Sequence, residues 1–437
     1  MSLIARLETY FEFSRLGTSW RTEVVAGVTT FLTMAYIVFV NPSILHDAGM
    51  PIAAVTAATC LTAALGSILM GVFARYPIAL APGMGLNAYF AYGVVKGMGV
   101  PWQTALGAVF LSGVAFLLLT AMGVRQMIVR AIPQSLYAAV AAGVGLFIAL
   151  IGFKNAGLVV ANSATLVGLG DLHRPDTLLA IFGLLVTSIL LGAGFNAAIL
   201  GGVVATSIVA FATGNAHLSG GTTGLSGIAA TSFHLDIPGA LKLGLVDIVF
   251  VFLFVDLFDN VGTLLAVGRK AGLFVGAGDV PRLNRILYCD AVATVAGSLA
   301  GTSTVVSYIE SSAGVAAGGR TGVTAIVTGL LFLVTMFAAP MVGAIPGAAT
   351  APALIIVGSM MMTAATEIAW SEPEVAIPAF LTMLSIPLTF SIANGLAFGF
   401  CAWTLIKIGR GKFRELNWMV LVLTALFITR FWYMKAG

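Results

Sequence analysis

An all-α polytopic membrane protein is the fold class that this sequence predicts, with 14 transmembrane segments in a 7+7 inverted repeat and the third and tenth segments interrupted. Three observations carry that prediction. The 437 residues are 59% hydrophobic and only 9% charged, and the mean hydropathy of +1.05 is that of a chain that lives in a bilayer. Apolar segments long enough to span recur along the whole chain. One stretch in each half then breaks the pattern with β-branched residues, glycines and polar groups, which a membrane tolerates only where the broken backbone lines a protected cavity.

Taken in order, residues 1–23 set Leu7, Tyr10, Phe11 and Phe13 beside Arg6, Arg15 and Arg21 and read as a cytoplasmic interfacial helix. No short apolar core with a small-residue cleavage site marks them as a signal peptide. Spans follow near 24–42, 52–73, a short helix at 84–95 after an extended 76–81, then 102–123, 133–151, 177–193 and 197–213. The second set is 243–268, 286–301, a short helix at 306–317, then 321–340, 350–366, 374–390 and 392–408. An odd number of spans per half inverts the second half relative to the first. Residues 61–67 (LTAALGS) also resemble 293–298 (ATVAGS), each just ahead of an interrupted segment. The tail at 418–429 is apolar but short, and reads as a helix lying on the cytoplasmic interface.

Charge placement gives an orientation. Arg75, Arg125, Arg130, Arg269, Lys270, Arg282 and Arg320 fall on one side, and Lys96, Lys154, Arg174 and Lys242 on the other. The richer side is cytoplasmic, so both termini are expected inside a cell inner (plasma) membrane. Cys60, Cys289 and Cys401 are isolated in apolar segments, without metal spacing or a disulfide framework. His46, His173, His217 and His234 fall in external loops. The net charge of +4 is spread over short loops, which argues against nucleic acid.

The chemistry concentrates at 254–263 (FVDLFDNVGT) and 302–314 (TSTVVSYIESSAG). A mid-bilayer carboxylate costs roughly 2.5–3.5 kcal/mol on insertion scales, so such a residue marks a functional site by default. Helical spacing sets Asp256, Asp259, Asn260 and Thr263 on one face. The run 302–306 favours extended backbone, and Ser307, Glu310 and Gly314 fit one face of a short helix after it. Asp256 and Glu310 could instead brace two crossing helices, and Asp247 and Asp290, near span ends, read as solvated or snorkelling. Gly83 to Gly85 lacks the strand and lysine of a phosphate loop. No nucleophile–base pair or metal spacing points to an enzyme.

With those residues in view, 31–42 (FLTMAYIVFVNP), 81–92, 254–263 and 307–322 resemble the adenine–guanine–hypoxanthine permease branch of the nucleobase–ascorbate transporter family, over about residues 5–434. The resemblance implies a dimeric inverted repeat that imports purine nucleobases with protons by an elevator-like motion, with no cofactor or metal. It implies a core domain at 24–130 and 243–345 and a gate domain at 131–242 and 346–410, flanked by interfacial pieces at 1–23 and 411–437. Carried onto matching positions, it puts Gly85, Asn87, Asp256 and Glu310 at the purine. Ser307, Ser311 and Phe258 join them as candidates, and Asp256, Asp259 and Glu310 as proton carriers.

The chemistry of a purine fits those side chains. Carboxylates accept from its N–H edge, Asn87 can pair with a donor and an acceptor together, and Phe258, Tyr89 or Phe90 can stack on the ring. Backbone N–H groups around 306–311 would add fixed donors. The rival is an anion exchanger or channel on the same plan, against which the acids at the breaks speak.

Overall fold

A computed structural model describes residues 2–433, apart from 125–126, 129–131, 217–226, 243–247, 273–280, 339–341 and 343. Arg125, Arg130, His217 and Asp247 therefore lie outside the described residues. Helix α1 (Leu3–Tyr10) is capped by Ser2, and α2 (Trp20–Met34) by Ser19, whose Oγ accepts from Thr22 N at 3.3 Å. After a turn at Ala35 and Tyr36 the chain resumes as α3 (Ile37–His46), with Pro42 inside it. Helix α4 (Ile52–Leu69) loosens into a wide turn through Ala74. Strand β1 (Leu80–Pro82) leads into α5 (Met84–Ala88), which continues to Gly97, and α6 (Trp102–Ala121) follows.

Next come α7 (Gln134–Asn155), the exposed hairpin of β2 (Val159–Asn162) and β3 (Leu166–Leu169), α8 (Pro175–Gly192) and α9 (Ala198–Ala212). The remainder is α10 (Ile248–Lys270), α11 (Leu283–Ala300), β4 (Val305–Ser307), α12 (Ser311–Ala316), α13 (Gly322–Thr335), α14 (Gly347–Met361), α15 (Pro373–Thr389), α16 (Ile392–Gly409) and α17 (Trp418–Tyr433). Among the described residues, seven helical stretches are long and apolar enough to cross a membrane. The chain is a multi-pass, predominantly helical membrane protein.

The helices sort by their neighbours. Helix α2 packs on α12 and α13, α4 on α11 and α13, and α6 on α10 and α11. Separately, α7 packs on α14 and α15, α8 on α9 and α14, and α15 on α16. The two broken segments meet as a two-stranded antiparallel sheet, with Leu80 opposite Ser307, Ala81 opposite Val306 and Pro82 opposite Val305. Gly83 N donates to Thr304 O at 2.9 Å and Tyr308 N to Ala79 O at 3.0 Å, which lengthens the ladder. Unpaired backbone inside a bilayer costs several kcal/mol per group, so each break supplies the partner that the other lacks.

A hydroxyl from a neighbouring helix completes each strand. Ser67 Oγ accepts from Leu80 N at 2.9 Å and donates to Leu80 O at 3.0 Å. Thr294 Oγ1 does the same for Val305, at 3.3 and 3.1 Å. The strand, however, runs through Ser307 and the helix starts only at Ser311. The expected helix at 306–317 is thus shorter, and Ser307 and Glu310 do not share a helical face. Val305, Val306 and Ser307 are held extended by their β1 partners, which outweighs the local helical spacing.

Helix α12 is pressed against α2 at Gly314, where an added Cβ would lie 2.0 Å from Thr30 Oγ1 and 2.7 Å from Ala26 O. Gly314→Val is expected to destabilise the protein by ~1–3 kcal/mol, the usual cost of overpacking, read as a lower thermal midpoint in detergent. A midpoint equal to the parent's would mean that α12 and α2 can separate freely.

The tail also differs from expectation. Thr404 and Thr424 hydroxyls lie 2.8 Å apart, Phe400 stacks on Phe427 at 5.7 Å, and Phe398 on Phe431 at 5.6 Å. That order of contacts runs α17 antiparallel along α16, where the buried Val420, Leu423 and Phe427 find apolar partners. It does not lie across the helix ends.

Candidate functional site

The two breaks wall a cavity of about 300 Å³, at the lower end of the ~300–1,000 Å³ typical of small-ligand sites. Gly83, Met84 and Gly85 contribute from the start of α5, and Ser307, Tyr308 and Glu310 from the β4–α12 break. Phe258, Asp259 and Thr263 come from α10, and Gln134 and Tyr137 from α7. The far wall is Met361, Thr363 and Glu367 at the end of α14 and the tight turn after it. The cavity therefore sits between the two groups of helices described above, and among the described residues no Lys or Arg lines it. It reaches the surface at the exposed Gln134, Thr363 and Glu367, where Gln134 Nε2 donates to Glu367 Oε2 at 2.9 Å.

Glu310 stands at the N-cap of α12, 8% exposed, and its Oε1 accepts from the Tyr36 hydroxyl. Phe258 lines the site with Tyr137 tilted against it, centroids 4.7 Å apart. Of the residues predicted from sequence, Glu310, Asp259, Phe258, Ser307 and Gly85 meet at this cavity. Asp256, Asn87 and Ser311 are not part of its lining.

Asp256 turns away into a buried polar knot. Asn260 Nδ2 donates to Asp256 Oδ1 at 2.9 Å and also to Asp290 Oδ1, and Asn260 Oδ1 accepts from Ser307 N at 2.8 Å. The shared helix face is wide enough to split, with Asp259 and Thr263 toward the cavity and Asp256 and Asn260 toward α11 and β4. Asp290 belongs to this knot and is fully buried, so it is neither solvated nor snorkelling. Asn87 Nδ2 donates to Asn41 Oδ1, while Asn41 Nδ2 reaches Thr59 and Thr302. These bonds tie α3, α4, α5 and the second break together.

Three further expectations change. Ser311 Oγ accepts from Ala79 N at 3.0 Å, which makes it part of the sheet's frame. Of the backbone donors anticipated along 306–311, three are spent internally, Ser307 N on Asn260, Tyr308 N on Ala79 O and Ser311 N on Tyr308 O. Tyr89 and Phe90 pack on Phe252 at 5.2 and 6.5 Å, and of the three rings expected to stack only Phe258 lines the cavity. Sequence reasoning missed Tyr36, Tyr137, Gln134 and Glu367. A lone aromatic in the small-residue run 134–145 was the available signal for Tyr137.

Residues 21–398 match the Xan_ur_permease model, described as a permease family. An adenine permease of Escherichia coli, AdeP, is 46% identical over 98% of this chain and 97% of its own length. The guanine/hypoxanthine permease PbuG of Bacillus subtilis is 44% identical over 98% of this chain and 100% of its own. A putative permease of Methanocaldococcus jannaschii is 51% identical over 98% and 99%. Among solved structures, the transmembrane domain of the cyanobacterial bicarbonate transporter BicA superposes with a TM-score of 0.66 over 87% of this chain and 97% of its own. At 13% identity that likeness is one of fold. The chain belongs to the nucleobase permease family, and is a transporter and not an enzyme.

Proposed function

We propose that this protein is a proton-coupled symporter that imports purine nucleobases, namely adenine, guanine and hypoxanthine, across the inner (plasma) membrane. The observation that carries the reading is the convergence of Asp259 and Glu310, from separate segments, on one cavity with the Phe258 ring. A neutral purine offers N–H donors to carboxylates and a flat face to an aromatic ring. The names of the relatives point the same way. An anion exchanger would want basic groups where this cavity has acids.

Glu310, fixed at the break, is the purine-gripping group in this reading. Asp259 takes the proton-exchanging role at the cavity, and Asp256 acts through the knot behind it. No metal or cofactor is required, since the proton gradient drives accumulation. The 14-segment inverted repeat is supported by the pairing of neighbours: α2 on α13 mirrors α10 on α6, and α7 on α15 mirrors α14 on α8. The first group of helices is the core domain and the second the gate, with the cavity between them.

An elevator-like slide of core against gate would carry the site across, with a homodimer's gate domains as the fixed frame. Away from the cavity mouth, Tyr92 donates to Asp47 Oδ2 at 2.6 Å and Asn155 Nδ2 donates to Tyr92 at 3.2 Å. The second of these bonds links core to gate on the side assigned as external, which fits an inward-open state with both termini cytoplasmic. In proteoliposomes, unlabelled adenine, guanine or hypoxanthine is expected to compete with labelled adenine or hypoxanthine, and an inward proton gradient to drive accumulation. Uptake that follows a sodium gradient but ignores pH would end the proton reading; movement of sulfate or bicarbonate instead would end the nucleobase reading.

A further inference from the structure

Helix α2 ends at Met34, and the chain turns at Ala35 and Tyr36 before it resumes as α3. The turn tightens, with Val38 N bonded to Ala35 O at 3.1 Å and Phe39 N to Tyr36 O at 3.0 Å. Tyr36 sits in this turn, fully buried, with its hydroxyl on Glu310 Oε1.

The rest of the contact between these segments makes one rigid seat. Gly314 lets α12 sit directly on Ala26 and Thr30. Glu23 of α2 accepts from Arg320 N at 2.9 Å, Thr321 N at 3.2 Å and Thr324 Oγ1 at 2.6 Å just beyond it. Tyr36 is thus held relative to Glu310 by contacts on either side, and its O–H is a donor with a fixed address.

We infer that Tyr36 is a positioning residue for substrate recognition: its hydroxyl occupies one oxygen of Glu310 and thereby aims the other at the purine in the cavity. A flexible glutamate has three side-chain torsions to fix before it can accept from a ligand edge, and ordering such a side chain on binding costs affinity. Tyr36 makes that selection in advance. A hydrogen bond to a charged acceptor is also the stronger kind, so the carboxylate does not swing to a competing partner. This inference rests on the proposed purine site and adds a residue that does not line the cavity.

A double-mutant cycle with purified protein and labelled adenine tests it. Parental binding is scored first, and a parent that binds neither adenine nor hypoxanthine would overturn the functional reading and this inference with it. Tyr36→Phe, which removes one oxygen and keeps the ring, is expected to raise Kd about tenfold or more. In a Glu310→Gln background the same change should add less than about twofold, since the group that it positions has already lost its charge.

Tyr76→Phe is the control. The Tyr76 hydroxyl donates to Pro281 O at 2.7 Å, and Tyr76 is not part of the cavity lining, so its effect should multiply with that of Glu310→Gln. Parental affinity in Tyr36→Phe, or effects of Tyr36 and Glu310 that simply multiply, would show a brace with no part in recognition. Should Tyr36→Phe not elute as a folded protein, Tyr36→Met, which also lacks a donor, enters the same cycle under the same criteria.

Discussion

Glu310→Gln is expected to raise the Kd for adenine or hypoxanthine by about 10- to 100-fold, whereas Asp259→Asn should cost much less binding and abolish accumulation against a gradient. The first magnitude follows from the ~1.5–3 kcal/mol of a hydrogen bond to a charged group. Glu310 stands at a rigid break, tied by Tyr36 to α2. Asp259 lines the same cavity from the continuous helix α10. An amide there can still accept a hydrogen bond, but it has no proton to exchange. Equilibrium binding and pH-driven uptake, measured on the same preparations, separate the two tasks. An Asp259→Asn protein that concentrates purine as well as the parent would place the exchanging proton elsewhere. Asp256→Asn is the companion, and because Asp256 is outside the lining, its loss in binding should be the smallest of the three.

Asn260→Leu should damage the protein itself. One amide donates to Asp256 and Asp290 and accepts from Ser307 N, which joins α10, α11 and β4 at a fully interior point. Removing one partner of a buried polar arrangement costs on the order of 3–5 kcal/mol where charge is involved. The β4 amide would also lose its acceptor at the very strand that walls the cavity. A large fall in thermal midpoint and in yield of monodisperse protein is expected. A variant that melts with the parent would mean that the knot is replaceable by packing alone.

The spans were legible because apolar length is a bulk property, and most predicted boundaries fall within a few residues of the helices. The breaks were legible too, as a proline-bounded stretch at 76–83 and a β-branched, polar run at 302–310. What could not be read was which way each polar side chain turns. Asp256 and Asp259 are three apart on one face, and only the position of Asp290, thirty residues from Asn260 in sequence, decides that Asp256 points inward to the knot. Asn87 looked like a ligand group and is bound by Asn41, 46 residues earlier. Tyr36 lay within a recognisable motif, but its meaning depends on a glutamate 274 positions away.

The pairing of β1 with β4 bears on how the chain comes to be made. Pro82 O meets the Tyr308 hydroxyl across 226 residues of sequence, which at ~5–20 residues per second is on the order of tens of seconds of synthesis. Throughout that interval the nascent first half holds an extended segment with no strand to receive it. Biogenesis therefore passes through a stage in which half of the protein is threaded into the bilayer while its centre remains unfinished. The cavity wall and the completed backbone of the first half come into existence in the same event, when residues 305–307 arrive.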